Sequence, residues 1–171
     1  MRILLLLTAL LGLAACATLS ESECRDGNWY QIGRDDGAAG RPLDFIRQHA
    51  KACNEFGVAP KAKPWREGRL EGLKQYCTRP NAYDVGTRGR RLSPVCPAED
   101  IESLQAANAR GLRWYQIGQE IAEVERDIRA INAEIADLAA DDPGRAALFS
   151  ERSFLRLDVL RLRSRRMRYR Y

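Results

Sequence analysis

Residues 117–138 read IGQEIAEVERDIRAINAEIADL, and the apolar spacing of this stretch decides the fold class. Its aliphatic residues recur at alternating intervals of four and three: Ile117, Ile121, Val124, Ile128, Ile131, Ile135 and Leu138. This spacing is the a/d seam of a heptad repeat, in which one side of a helix packs against another helix. The stretch therefore predicts a long helix in a coiled coil.

The residues that follow predict the second helix of this pair. Asp141-Asp142-Pro143-Gly144 is a turn signal, and a second apolar series follows it at Leu148, Leu155, Val159 and Leu162. Residues 99–142 hold eleven acidic residues and four arginines, whereas residues 145–171 hold nine arginines and two acidic residues. Opposite charges favour pairing of the two arms. We expect residues 98–171 to form a long antiparallel helical hairpin.

The predicted second helix carries more apolar residues than one seam needs. The additional residues are Phe149, Phe154, Leu157 and Leu160. They form a candidate partner surface, to be covered by the N-terminal half, by a second copy in a homo-oligomer, or by a partner protein. The arginine-rich end, Arg161 to Arg170, has two interpretations: pairing with the acidic arm, which we favour, or contact with anionic lipid.

All cysteines after residue 16 lie before residue 97: Cys24, Cys53, Cys77 and Cys96. An even set in an exported chain predicts two disulfides with three possible connectivities. A zinc site is disfavoured, because the cysteines are widely spaced and the single histidine is His49. If the first two helical segments form a hairpin, Cys24 lies near Cys53, which favours the pairs Cys24–Cys53 and Cys77–Cys96.

Residues 24–97 predict a small disulfide-stapled domain of short helices. Glycine and proline turn signals are dense there, and no segment alternates like a β-strand. Helical spacing occurs after Pro42 and again from Trp65 to Cys77. Together with the hairpin, this domain gives an all-α fold.

An aromatic residue is followed three positions later by glycine in four places: Tyr30/Gly33, Trp65/Gly68, Tyr83/Gly86 and Tyr115/Gly118. The pentapeptide WYQIG occurs at both 29–33 and 114–118. We favour close helix packing, since a small core needs its aromatic side chains. The alternative is a ligand groove formed by Trp29, Tyr30, Gly33, Gly37, Trp65 and Gly68.

The order of cysteines, tryptophans and glycines resembles a known family of bacterial lipoproteins, domain of unknown function 2799. The matching residues are Cys24, Trp29, Gly33, Asp36, Gly37, Gly40, Cys53, Trp65, Gly68, Gly72, Leu73, Tyr76, Cys77, Thr78, Asn81, Gly86, Gly89, Val95, Cys96 and Pro97. The resemblance covers about residues 24–97. It implies a small exported domain anchored to the envelope, and it carries over no catalytic residue.

The N-terminus predicts a lipoprotein signal peptide. Arg2 precedes an apolar run, and Leu13-Ala14-Ala15-Cys16 resembles a lipobox, in which the cysteine is lipidated. Residues 1–15 are then the signal peptide and residues 16–23 a lipidated linker. An ordinary signal, cleaved after Ala15, is the alternative. By the sorting rule that accompanies this resemblance, Ala17 favours the outer membrane, facing the periplasm.

Nothing in the sequence predicts a reaction, a cofactor or a metal site. The net charge of +5 over 171 residues is too small to indicate nucleic acid. No nucleophile elbow, zincin motif or phosphate-binding loop is present. We expect His49 to be a solvated helix residue, and Glu67 and Glu71 to form surface ion pairs with nearby basic residues.

The sequence therefore predicts a non-enzymatic lipoprotein of the cell envelope with a structural or protein-interaction role and no small-molecule substrate. Its membrane partner is reached through the lipid anchor. The alternative is a binding module for a glycan, a peptidoglycan fragment or a lipid. Buried tryptophans with an open apolar stripe on the hairpin favour the scaffold, and tryptophans exposed in one cleft favour the binding module.

Overall fold

The computed structural model describes residues 18–171, and this part of the chain is all-helical, as predicted. The helices are α1 (Glu21–Asp26), α2 (Trp29–Ala38), α3 (Ile46–Asn54), α4 (Ala62–Tyr76), α5 (Arg79–Thr87), α6 (Ile101–Asp137) and α7 (Gly144–Met167). A 3₁₀ turn, Leu43–Phe45, precedes α3. The predicted signal peptide and the lipidation site Cys16 lie outside the described residues.

The chain divides into two compact units between Tyr76 and Cys77. The predicted boundary, residue 97, differs because α5 and the Cys77–Cys96 disulfide belong with the helical hairpin. The first unit also extends further toward the N-terminus than expected. Leu19, inside the predicted linker, is buried with Cys24, Trp29, Cys53 and Trp65.

In the first unit, α2 and α4 touch backbone to backbone. Gly33 and Gly37 of α2 face Gly68 and Gly72 of α4. A Cβ atom on Gly37 would overlap the carbonyl oxygen of Arg69, and one on Gly72 would overlap that of Arg34. Helices approach this closely only where both contribute glycine.

In the second unit, α5 and the start of α6 make the same contact. A Cβ atom on Gly86 would overlap the carbonyl oxygen of Asn108, and one on Gly111 would overlap that of Tyr83. The predicted repeat of aromatic residues and glycines thus marks close helix packing in both units. Its partner position on α6 is Gly111, and Gly118 faces a side chain of α7 instead.

Both helix pairs also end in the same way. The first helix of each pair is followed by a glycine in the left-handed region, Gly40 at φ +69° and Gly89 at φ +75°. A tyrosine ring of the second helix lies against each glycine, Tyr76 in the first unit and Tyr115 in the second. Only glycine has room at these positions.

These features form an internal repeat with its own short sequence signature. The first helix of each pair ends in Gly-x-x-Gly-Arg, at 37–41 and 86–90. The second helix contains Gly-Leu-x-x-Tyr, at 72–76 and 111–115. Each unit also has a disulfide that joins the segment before the first helix to the connection between the two helices.

The predicted helical hairpin is formed by α6 and α7. Ile117, Ile121, Ile131 and Ile135 of the heptad seam are buried, and Val159 of α7 packs against the first two. The turn falls at Asp141 to Gly144, where it was predicted. The seam therefore stabilises the arm through burial of aliphatic side chains, each worth about 1.5–3 kcal/mol.

Candidate functional site

Both predicted disulfides are formed, Cys24–Cys53 in the first unit and Cys77–Cys96 in the second, each with 5.5 Å between Cα atoms. This is the pairing that we favoured. Each bond closes a loop and stabilises its unit by about 2–4 kcal/mol. Within residues 18–171 no group of three or more histidine, cysteine, aspartate or glutamate side chains is arranged to hold a metal ion.

The residues of the candidate ligand groove lie inside the first unit. Trp29 is 2% exposed and Trp65 is fully buried, whereas Tyr30 of the same set is 44% exposed. The space beside Gly33 is filled by the backbone of Trp65, and that beside Gly68 by the backbone of Tyr30. The predicted groove is thus a contact between two helices.

A buried polar network joins four segments of the first unit. The Nε2 atom of His49 lies 2.7 Å from Oδ2 of Asp36, and the same carboxylate oxygen accepts the indole N–H of Trp65 at 2.8 Å. Nδ1 of His49 lies 2.9 Å from the hydroxyl of Thr18. A carboxylate only accepts, so Nε2 donates to it, and in the neutral imidazole Nδ1 accepts from Thr18.

The expectation that His49 is solvated was wrong, since only 2% of the residue is exposed. The ring of Phe45 covers it edge-on, at a centroid distance of 5.1 Å. The sequence gives no signal for this burial, because the hydrogen-bond partners Asp36 and Thr18 are 13 and 31 residues away. The network holds Thr18 against α2, α3 and α4.

A buried arginine lies beside this network. The Nε atom of Arg69 donates to the carbonyl oxygen of Arg41 at 2.8 Å. Burial lowers the pKa of Arg69, and the nearby charge of Asp36 acts in the opposite direction. At the equivalent position of the second unit, the amide of Asn108 donates to the carbonyl oxygens of Ala82 and Arg90, both at 3.0 Å.

Glu67 and Glu71, which we expected to form surface ion pairs, lie on the surface of α4. Glu71 pairs with Lys74, as expected of a surface residue, and Glu67 is exposed. Such exposed pairs contribute little to stability.

The candidate partner surface is exposed on α7. Phe154 is 68% exposed, Leu160 60%, Leu157 49% and Phe149 38%. The guanidinium of Arg152 lies 4.8 Å above the ring of Phe149. The other three side chains form an open apolar stripe on the solvent side of the helix.

The charges of the hairpin arms meet at two places. Arg163 of α7 pairs with Glu125 of α6 at 2.7 Å, and Arg165 pairs with Glu120. These pairs agree with the interpretation that the arginine-rich end faces the acidic arm. Among the described residues, no helix is long and apolar enough to span a bilayer.

A family model, described as a protein of unknown function (DUF2799), matches residues 28–113. This range covers half of the chain and contains the glycine contacts of both helix pairs. It passes the predicted boundary at residue 97 and ends at Arg113, just after the Gly111 contact. No curated protein and no solved structure matches the chain. The chain belongs to the DUF2799 family.

Proposed function

We propose that this protein is a non-enzymatic lipoprotein of the bacterial cell envelope and acts as a structural or protein-interaction scaffold. It is anchored by acyl chains such as palmitate on Cys16, in the outer membrane and facing the periplasm. The lipobox-like residues before Cys16 support the anchor, and Ala17 supports the outer membrane. Two acyl chains or more give a stable anchor.

The observation that carries the scaffold proposal is the open apolar stripe of Phe154, Leu157 and Leu160 on α7. Contiguous exposed apolar side chains on a helix are typical of interaction surfaces. The arginines Arg156 and Arg161 are exposed among them. The partner that fits is a protein with an apolar face bordered by carboxylates.

Two features of the first unit argue against the alternatives. Trp29 and Trp65 are buried, so the proposed binding module for a glycan, a peptidoglycan fragment or a lipid has no open tryptophan platform there. The Thr18–His49–Asp36 chain resembles a nucleophile, base and acid in order, but its imidazole is enclosed and its carboxylate also holds Trp65. We therefore assign that chain a structural role.

The partner surface is tested by crosslinking in intact Gram-negative cells, with the double variant Phe154→Asp and Leu157→Asp. We expect a defined envelope protein to co-purify with the unaltered chain and to be lost with the variant. The matched control is Leu70→Asp, since Leu70 is equally exposed (63%) but lies in the first unit. Circular dichroism checks that each variant is folded.

Two results would contradict the scaffold proposal. One is a partner protein retained by the double variant and lost with Leu70→Asp. The other is recovery of glycan or lipid alone, unaffected by the change in α7.

The anchor is tested separately with Cys16→Ser and Ala17→Asp. We expect Cys16→Ser to abolish incorporation of labelled palmitate, and Ala17→Asp to move the labelled protein to the inner membrane. Labelling that survives Cys16→Ser would refute the anchor at this residue.

A further inference from the structure

A cavity of about 800 Å³ lies in the second unit, between α5, the N-terminal third of α6 and the end of α7. This volume is in the range of small-ligand sites. The side chains that define its chemistry are Tyr83, Trp114, Arg163, Arg166, Arg170 and Tyr171.

One wall of the cavity is built around Arg166. The Cζ atom of its guanidinium lies over the ring of Trp114, 3.5 Å from the centroid, and its Nε donates to the carbonyl oxygen of Trp114 at 3.1 Å. Gly118, one turn further along α6, leaves the room for this arrangement. A Cβ atom there would lie 2.8 Å from Nη2 of Arg166. The second copy of WYQIG therefore holds an arginine in a fixed orientation.

Another part of the cavity lining is held by contacts of the residues after α7. The hydroxyl of Tyr83 donates to the carbonyl oxygen of Tyr169 at 2.9 Å, and the rings of Tyr83 and Tyr171 are 5.1 Å apart. Arg110 donates to the carbonyl oxygen of Arg170 at 2.6 Å. These bonds hold the segment in place, so the cavity is preformed.

The charge of the cavity is positive and only partly compensated. No Asp or Glu side chain among residues 18–171 lines it. Arg163 is paired with Glu125, whereas the guanidinium groups of Arg166 and Arg170 have no carboxylate partner within residues 18–171. Two arginines that are not paired with Asp or Glu and that lie beside aromatic side chains suit an anion attached to an apolar group.

We propose that this cavity binds an organic phosphate, with the phosphate at Arg166 and Arg170 and its apolar part against Trp114 and the two tyrosine rings. A phosphate carries close to two negative charges and matches two guanidinium groups better than a carboxylate does. A soluble phosphate monoester has this chemistry in full, whereas the headgroup of an anionic phospholipid such as phosphatidylglycerol is a phosphodiester with one negative charge and two free oxygens that accept from guanidinium groups. The site depends on neither the anchor nor the partner surface proposed above.

The test uses the full chain in neutral detergent, labelled with 5-fluorotryptophan and followed by ¹⁹F NMR. The chain has three tryptophans, and Trp29 and Trp65 are buried in the other unit. They serve as internal controls, and Trp114→Phe assigns the third resonance. The probe is phenyl phosphate, with phenyl glucoside as the uncharged control and inorganic phosphate as the control without a ring.

We expect phenyl phosphate to shift the Trp114 resonance alone, more tightly than either control. Arg166→Gln and Arg170→Gln are each expected to weaken binding about tenfold or more, because each removes charge-assisted hydrogen bonds. Gly118→Ala, which keeps every charge but displaces Arg166, is also expected to weaken it. Arg161→Gln is the matched control, since Arg161 lies on α7 outside the cavity and pairs with Asp158.

The proposal is overturned if phenyl phosphate leaves Trp114 unchanged, if phenyl glucoside binds equally well, or if Arg161→Gln weakens binding as much as the cavity variants. A second arm places the chain in nanodiscs of phosphatidylcholine with and without phosphatidylglycerol. A Trp114 shift that requires phosphatidylglycerol identifies a lipid headgroup as the ligand. Binding of phenyl phosphate without that shift identifies a soluble ester.

Discussion

The two units contain the same kind of helix pair, but different side chains fill the contact between the two helices. Where the first unit has Gly33 and Gly68, the equivalent positions of the second unit are Ala82 and Ala107. Trp65 is replaced by Leu104, which forms a small apolar cluster with the two alanines. The second unit therefore accommodates Cβ atoms at this level, where the first unit has no room for them.

The polar groups differ at equivalent positions as well. Asp36, which accepts from His49 and Trp65, corresponds to the buried Val85, and the buried Arg69 corresponds to Asn108. Both units therefore share the glycine contact between the helices and the left-handed glycine that follows the first helix. The first unit adds a buried network that secures Thr18, whereas the second extends into the arm that carries the candidate partner surface.

Among the substitutions that test this difference between the units, Gly68→Ala is expected to have the largest effect on the free energy of unfolding. The new methyl group would overlap the backbone of Tyr30, which moves only with the whole helix. We expect a loss of roughly 3 kcal/mol in the free energy of unfolding, measured by urea titration. The matched change, Ala107→Gly in the second unit, is expected to cost only about 1 kcal/mol. Equal losses would show that the two contacts do not differ as described.

The next largest loss of stability is expected from disrupting the buried network of Asp36, His49 and Trp65, which has no equivalent in the second unit. Asp36→Ala leaves the imidazole of His49 and the indole N–H of Trp65 without their common acceptor. We expect a loss of about 2 kcal/mol. In a double-mutant cycle, His49→Ala should cost less in the Asp36→Ala background than in the unaltered chain. Additive losses would mean that the two residues are not coupled.

The smallest effect is expected in the pH dependence of the stability that the N-terminal cap of α1 contributes. The pKa of Glu23 is held below its ordinary value of 4.5 by hydrogen bonds from the hydroxyl and backbone N–H of Ser20. A carboxyl group whose pKa is lower in the folded than in the unfolded chain stabilises the fold at pH values above its unfolded-state pKa. This contribution is lost as the pH falls through the folded-state pKa.

The side chain of Glu23 is solvated, so its contribution is expected to be only a few tenths of a kcal/mol. The thermal unfolding temperature of Glu23→Gln should therefore lie slightly below that of the unaltered chain at pH 7, and the difference should shrink as the pH is lowered below 4.5. Glu21→Gln is the control, since Glu21 is exposed and pairs only with Arg25. A difference that persists in acid would contradict the assignment.

Features set by local spacing could be predicted from the sequence. The heptad seam from Ile117 to Leu138 predicted the hairpin, because apolar residues that recur every 3.5 positions place one face of a helix against a partner helix. The cysteine order and a short first hairpin led to the favoured disulfide pairing. Aromatic residues three positions before glycine indicated close helix packing, because glycine in a helix costs stability unless the space is used.

Features set by distant contacts could not be predicted. The duplicated pentapeptide WYQIG suggested equivalence between Gly33 and Gly118, but the former contacts a backbone and the latter an arginine side chain. The true repeat consists of two five-residue motifs, Gly-x-x-Gly-Arg and Gly-Leu-x-x-Tyr, separated by a connection whose length differs between the two units. The burial of His49 and the cavity at Arg166 depend on residues far apart in the chain.

The most direct measurement is photo-crosslinking in living cells with a photoreactive amino acid placed at Leu157 in one strain and at Leu70 in another. Both side chains are about half exposed or more, but Leu157 lies on the arm of the second unit and Leu70 on α4 of the first. We expect a discrete crosslinked envelope protein from position 157 and none from position 70. A crosslinked protein from position 70 with none from position 157 would contradict the assignment of α7 as the interaction surface.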